Sequence, residues 1–162
     1  MPQRKVDIRA VGGRLVAVKS ASTELEVAAL THEADLLRRS AHPGVVAVVS
    51  FTSTLDRAEL VLTAPSEYTV AERLPESSSA CLDLVAAIAD IVADLHAIGV
   101  AHGAIRPDHV LVPDNDQPVL CGFGCAQSVV DPQLFSERAS ARHHARPSPS
   151  HVDQRRILRF ST

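Results

Sequence analysis

Leu95-His96-Ala97-Ile98-Gly99-Val100-Ala101-His102-Gly103-Ala104-Ile105-Arg106-Pro107-Asp108-His109-Val110-Leu111-Val112 joins the strongest helical pattern of the sequence to a short β-rich run. On its N-terminal side Cys81, Leu84, Val85, Ile88, Val92 and Leu95 recur at i, i+3, i+4, i+7, i+11 and i+14, one apolar stripe of a helix that ends near Gly99. A Ser-rich joint at residues 75–80 precedes it. On the C-terminal side Val110-Leu111-Val112 and Pro118-Val119-Leu120-Cys121 flank Pro113-Asp114-Asn115-Asp116-Gln117, a run of turn formers, and read as a hairpin.

Upstream the pattern changes. Val6-Asp7-Ile8-Arg9-Ala10-Val11 and Arg14-Leu15-Val16-Ala17-Val18-Lys19 are β-rich runs separated by Gly12-Gly13, which predicts a hairpin. Side-chain alternation puts Leu15, Ala17 and Lys19 on one face of the second strand and Val16 and Val18 on the other. Thr23 and Glu26 have capping-box spacing, and Val27, Leu30, Ala34 and Leu37 repeat with helical period, so a helix is expected over 23–39. Two further strands are expected at Val45-Val46-Ala47-Val48-Val49 and Glu59-Leu60-Val61-Leu62, joined through residues 52–57. Glu33 shares the helix face of Leu30, Ala34 and Leu37, where a carboxylate needs a cationic partner. Lys19, ending an apolar strand face, is the candidate. Spacing alone leaves the alternative that both charged heads reach water separately.

Composition removes several functions. Of 162 residues, 46% are hydrophobic and 22% charged, enough to bury a core. One Tyr, four Phe and no Trp leave few platforms for stacking bases, and 16 Lys+Arg against 19 Asp+Glu leave no broad cationic face. Nucleic acid is therefore not an expected partner. Asp83, Asp90, Asp94 and His96 interrupt the most apolar stretch, so no membrane span is expected. Cys81, Cys121 and Cys125 give no paired framework and the first residues carry no apolar signal core, so the expected location is cytoplasmic with reduced thiols. The C-x3-C of Cys121 and Cys125 after the H-x6-H of His102 and His109 matches no common zinc site. Residues 131–162, rich in Ser, Arg, His and Pro, read as a mobile tail in which His143, His144 and His151 bind metals adventitiously at most.

The segment 95–112 resembles the end of the large C-lobe helix and the catalytic loop of protein kinases, whose pattern is His-Arg-Asp-Leu-Lys-Pro-Glu-Asn-Ile-Leu-Leu. Other segments fall into register with it. Val16-Ala17-Val18-Lys19 resembles the nucleotide-binding strand, and Glu33 stands where the family's helix Glu pairs with that Lys. Leu60-Val61-Leu62-Thr63-Ala64-Pro65 is similar to the last small-lobe strand entering the hinge, and Val119-Leu120-Cys121-Gly122-Phe123-Gly124 stands at the Asp-Phe-Gly metal motif. The resemblance covers residues 6–126, about three quarters of the chain.

It implies an α+β, protein-kinase-like fold: a small β-rich N-lobe with one helix (residues 1–66, without a Gly-rich loop), then the start of a truncated, mainly helical C-lobe (67–130), then the tail (131–162). Residues 152–158 are at most a vestige of the helix anchoring that lobe. It also implies a nucleotide cleft formed by Ala17, Lys19, Glu33, Leu62 at the gatekeeper position, Thr63 and Pro65. The departures fall on the chemistry. Family members use a catalytic-loop Asp as base, and an Asn and the Asp of Asp-Phe-Gly to hold magnesium. Those positions are Ala104, His109 and Gly122 here, beside His102 and with Arg106 in place of the loop Lys. Arg106 meets an anion or caps a turn. No catalytic residue is intact, no metal site is expected, and ATP and Mg²⁺ binding should be weak or absent. The resemblance thus implies an inactive kinase-like domain, a pseudokinase, that binds a protein partner. The alternatives are an active Ser/Thr kinase and a decayed fragment.

Overall fold

Gly12 and Gly13, at φ 57° and 77°, close a two-residue turn between strand β1 (Val6–Val11) and strand β2 (Arg14–Ala21). Two consecutive residues at positive φ match the twist of the flanking strands, and glycine adopts this at no steric cost. The structure, a computed structural model, describes residues 6–113 and 117–129, all within one compact unit, Met1–Pro132. Expectations for the turn tip at 114–116, the tail, its histidines and residues 152–158 lie outside the described residues.

Helix α1 (Glu24–Arg39) follows β2. Thr23 is its N-cap and accepts from the Glu26 N–H, while the Glu26 carboxylate returns to the Ser22 N–H at 3.0 Å. Its buried residues, Leu30, Glu33, Ala34, Leu36 and Leu37, form the face that meets the sheet. Strand β3 (Val48–Ser53) and strand β4 (Ala58–Thr63) complete an antiparallel sheet of order β1-β2-β4-β3. Lys19 lies opposite Leu60 and Ala17 opposite Leu62 in the β2–β4 register.

The strand expected over 45–49 is displaced. Val45 and Val46 are buried, yet their partner is Leu120: the Val46 N–H donates to the Leu120 carbonyl at 3.0 Å, and the Leu120 N–H to Gly44 at 2.8 Å. The β-branched run is real, but a pairing supplied from far along the chain claims its first half, and β3 starts later with a bulge between Val48 and Ser50.

Helix α2 (Ser78–Ala97) starts at the Ser77 N-cap. Its packed stripe differs from expectation by one position: Ile91 is 7% exposed and Leu95 buried, whereas Val85 is 62% exposed. A 3.6-residue period allows either residue on a stripe drawn from composition alone, and contact with Gly44 selects Ile91. Beyond α2 come the two-residue strands β5 (Val100–Ala101), β6 (Val110–Leu111), β7 (Val119–Leu120) and β8 (Gln127–Ser128), paired β5 with β8 and β6 with β7. The expected hairpin is the β6–β7 pair. The α+β class holds: one four-stranded antiparallel sheet with two helices. One apolar core runs from Leu30, Leu37 and Leu60 through Val45 to Leu95, Val100, Leu120 and Phe123.

Candidate functional site

Lys19 and Glu33 meet. The Lys19 Nζ stands 2.5 Å from the Glu33 Oε1, and the side chains retain 12% and 2% of their exposure. Strand alternation points Lys19 away from buried Val16 and Val18, and helical spacing points Glu33 inward with Leu30 and Ala34. Each charge is where a buried, unpartnered charge would be costly, and each answers the other. Gly124 closes the far side: a Cβ added there would lie 3.7 Å from the Glu33 Oε2. Three segments distant in sequence thus converge on one carboxylate.

The loop 102–109 is laced to the strand and turn at 119–125. His102 is buried, with its Nε2 2.9 Å from the Cys121 carbonyl and its Nδ1 3.3 Å from the Ala104 N–H. Those partners fix the tautomer: Nε2 carries the proton and Nδ1 accepts. Its ring meets Phe123 edge-on at 4.6 Å, and burial pushes its pKa below the ordinary histidine value. His109 donates from Nδ1 to the Ala104 carbonyl at 2.7 Å. The Cys121 N–H donates to the His109 carbonyl at 2.9 Å. Burial pushes the Cys121 thiol up, against the opposing charge of Lys19.

The His109 ring fills the space beside Gly122. Gly122 sits at φ 81°, and a Cβ built on it would lie 2.6 Å from the His109 ring atoms. Of the two positions that the kinase resemblance assigns to magnesium ligands, one therefore fills the space a side chain at the other would need. The nearby carboxylates are committed elsewhere: Glu33 to Lys19, and Asp108 to Arg106 through a fork in which Nε stands 2.9 Å from Oδ1 and Nη2 bonds to Oδ2. Magnesium asks for several oxygens in near-octahedral array, and these residues do not fit it. Among the described residues no group of three or more His, Cys, Asp or Glu is placed to hold a metal ion. Of the two sequence readings of Arg106, the structure places it beside Asp108, next to the short turn of Pro107–His109. Ala104 contributes its backbone to both histidines and no acid or base.

The residues implied as a hinge spend their backbone donors internally. The Thr63 N–H donates to Ala47 at 2.9 Å, and the Thr63 Oγ1 accepts from the Ala47 N–H. The Ala64 N–H donates to Leu15 at 3.1 Å, and Pro65 has no N–H. Leu62 is buried in the core and Ala17 half-buried beside it. An adenine laid against this edge finds no free backbone N–H at residues 63–65.

No protein-family model matches this chain. No curated protein matches it either.

Two cavities lie elsewhere. A groove of about 540 Å³ runs between Tyr68, Arg73, Asp83, Leu84 and Val112, and one of about 460 Å³ lies between Ser20, Thr52, Arg57 and Glu59. Neither is lined by Lys19 or Glu33. Sequence reasoning missed the Gly122–His109 contact and the role of the Ala104 backbone. The signal was present in one form: glycine at a position the resemblance gives to Asp asks what needs its room. No described helix is long and apolar enough to cross a membrane.

Proposed function

We propose that this chain is a catalytically inactive, protein-kinase-like domain whose role is to bind and regulate a protein partner. The Gly122–His109 contact carries the reading: the resemblance calls for magnesium ligands at both positions, and the His109 ring occupies the space a side chain at 122 would need. What supports the kinase resemblance itself is the convergence of its separate segments, with Lys19 of β2, Glu33 of α1 and Gly124 after the metal-motif position in one place. Phosphoryl transfer is achieved by positioning and charge neutralisation, and Ala104, His109 and Gly122 supply neither base nor metal.

In this reading Lys19 no longer serves a triphosphate. It holds Glu33, and through Glu33 it fixes α1 against the sheet. Such a lobe presents a stable face to another protein without turnover. The test has two arms. Incubation with radiolabelled Mg-ATP, alone and with generic protein acceptors, gives no label transfer above background. Transfer that disappears in Lys19→Met overturns the reading. Calorimetric titration of ATP with and without Mg²⁺ shows no magnesium-dependent affinity, and magnesium-dependent binding in the low micromolar range, about 8 kcal/mol of free energy, contradicts this account of the cleft.

A further inference from the structure

The two edges of the four-stranded sheet are not alike. β3 carries a bulge, and its Phe51 is covered by the Arg38 guanidinium at 5.5 Å. Bulges and covering side chains are ordinary protections of an edge. β1 has neither: its register with β2 is unbroken from Val6 to Val11, and every one of its residues is exposed.

Which backbone groups of β1 are free follows from the turn. A two-residue turn makes Val11 and Arg14 a hydrogen-bonded pair, and alternation gives the same to Arg9 with Val16 and to Asp7 with Val18. The other side of β2 agrees, since the Leu15 carbonyl points toward β4 and accepts from Ala64. Val6, Ile8 and Ala10 therefore turn their N–H and C=O groups outward, away from β2. Their side chains share one face, with Val6 46% and Ile8 54% exposed. Asp7 and Arg9 share the other face, 2.8 Å apart and both about half exposed.

We infer that β1 pairs edge to edge with β1 of a second copy of this chain, antiparallel, with the two-fold axis at Ile8. That sequence is complementary to itself in this register. Ile8 faces Ile8 of the second copy, and Val6 faces its Ala10, so the three outward-turned residues form the hydrogen-bonded pairs. Asp7 then faces the second copy's Arg9, and Arg9 its Asp7. These are the non-hydrogen-bonded pairs, whose Cα atoms approach to about 4.5 Å and whose side chains are closest. A shift by one residue sets outward groups against inward ones, and a shift by two sets Asp7 opposite the second copy's Asp7. The axis is isologous, so the assembly closes as a dimer rather than growing into a fibre. Val6 of this edge lies opposite Lys19 in the β1–β2 register, on the same face of the sheet.

Sedimentation of the full chain over a concentration series tests this. Wild type forms a dimer in reversible equilibrium with monomer. Asp7→Arg places Arg opposite Arg, Arg9→Asp places Asp opposite Asp, and each weakens the dimer roughly tenfold or more. An equimolar mixture of the two single variants, and the double variant Asp7→Arg/Arg9→Asp, regain wild-type association, because opposite charges again face each other. Ile8→Pro, which removes an N–H that β2 does not use, abolishes association and keeps the helical circular dichroism. A wild type that stays monomeric at about 100 μM, a threshold near 5.5 kcal/mol, overturns the proposal. A dimer indifferent to both single charge reversals overturns it too, and places association on another surface, such as the exposed Leu82–Val85 side of α2.

Discussion

The Lys19–Glu33 pair is nearly dry, which sets how its removal is felt. Replacing one partner strands the other charge away from water and costs about 3–5 kcal/mol, whereas replacing both with apolar residues of similar size costs much less. A double-mutant cycle of Lys19→Met and Glu33→Leu therefore gives a double variant more stable than either single variant. Additive losses in denaturant melts mean that the pair contributes nothing as a pair. His102 makes a pH prediction with a defined sign. The unfolded chain's histidine titrates near its ordinary 6.5, while burial lowers the folded ring's pKa and a second ring proton would meet the Ala104 N–H. As pH falls through the unfolded value the unfolded state takes up the proton first, so stability is full above it and declines below it until the folded pKa is passed. Melting temperatures taken from about pH 8 to about pH 5 fall more steeply for wild type than for His102→Gln, which keeps a donor for the Cys121 carbonyl but has no titrating ring. Parallel curves for the two proteins contradict this.

Helix α2 gives the contrast between a stripe drawn from composition and one chosen by packing. Ile91→Ala opens a cavity beside Gly44 and costs about 2–5 kcal/mol. Val85→Lys faces water and changes stability by about 0.5 kcal/mol or less. Equal losses in thermal melts mean that Val85 is packed as the apolar periodicity alone indicates. Elements with a local code were legible: the Gly12-Gly13 hairpin, the Thr23 cap, the length of α1 and the β6–β7 hairpin, while α2 starts at Ser78, inside the stretch that reads as a joint. Elements whose cause is distant were not. Val45 and Val46 read as a strand because β-branched residues favour extended backbone, but nothing nearby names Leu120 as their partner. β5 and β8 are two residues each, too short for a period to show, and Val100 finds Ser128 only once the chain has folded back. In the site, the Lys19–Glu33 contact was legible because two inward-pointing charges have few ways to be satisfied. The His109–Gly122 contact was not, since a ring filling a glycine's empty space leaves no charge or period to read.

Across the whole molecule, the sheet half depends on residues near position 120. Leu120 is fully buried, accepts from Val46, and donates to Gly44, while His42 reaches Asp94 of α2 at 3.1 Å. A chain ending after Val112 keeps every strand of the four-stranded sheet and all of α1, yet loses the partner of Val45 and Val46 together with Cys121 and Phe123, the acceptor and ring that hold His102. That shortened chain is expected to melt without a cooperative transition and to bind a hydrophobic dye, whereas the full chain melts sharply in circular dichroism. A sharp melt of the shortened chain shows the sheet half to be self-sufficient. The same bond sets a clock on synthesis. Leu120 follows Val46 by 74 positions (120 minus 46), and a ribosome adding roughly 5–20 residues per second needs roughly 4–15 s to make them. For that interval, and until Leu120 clears the exit tunnel, the newly made Val45-Val46 stretch has no mate and stands open to whatever chaperone patrols the nascent chain.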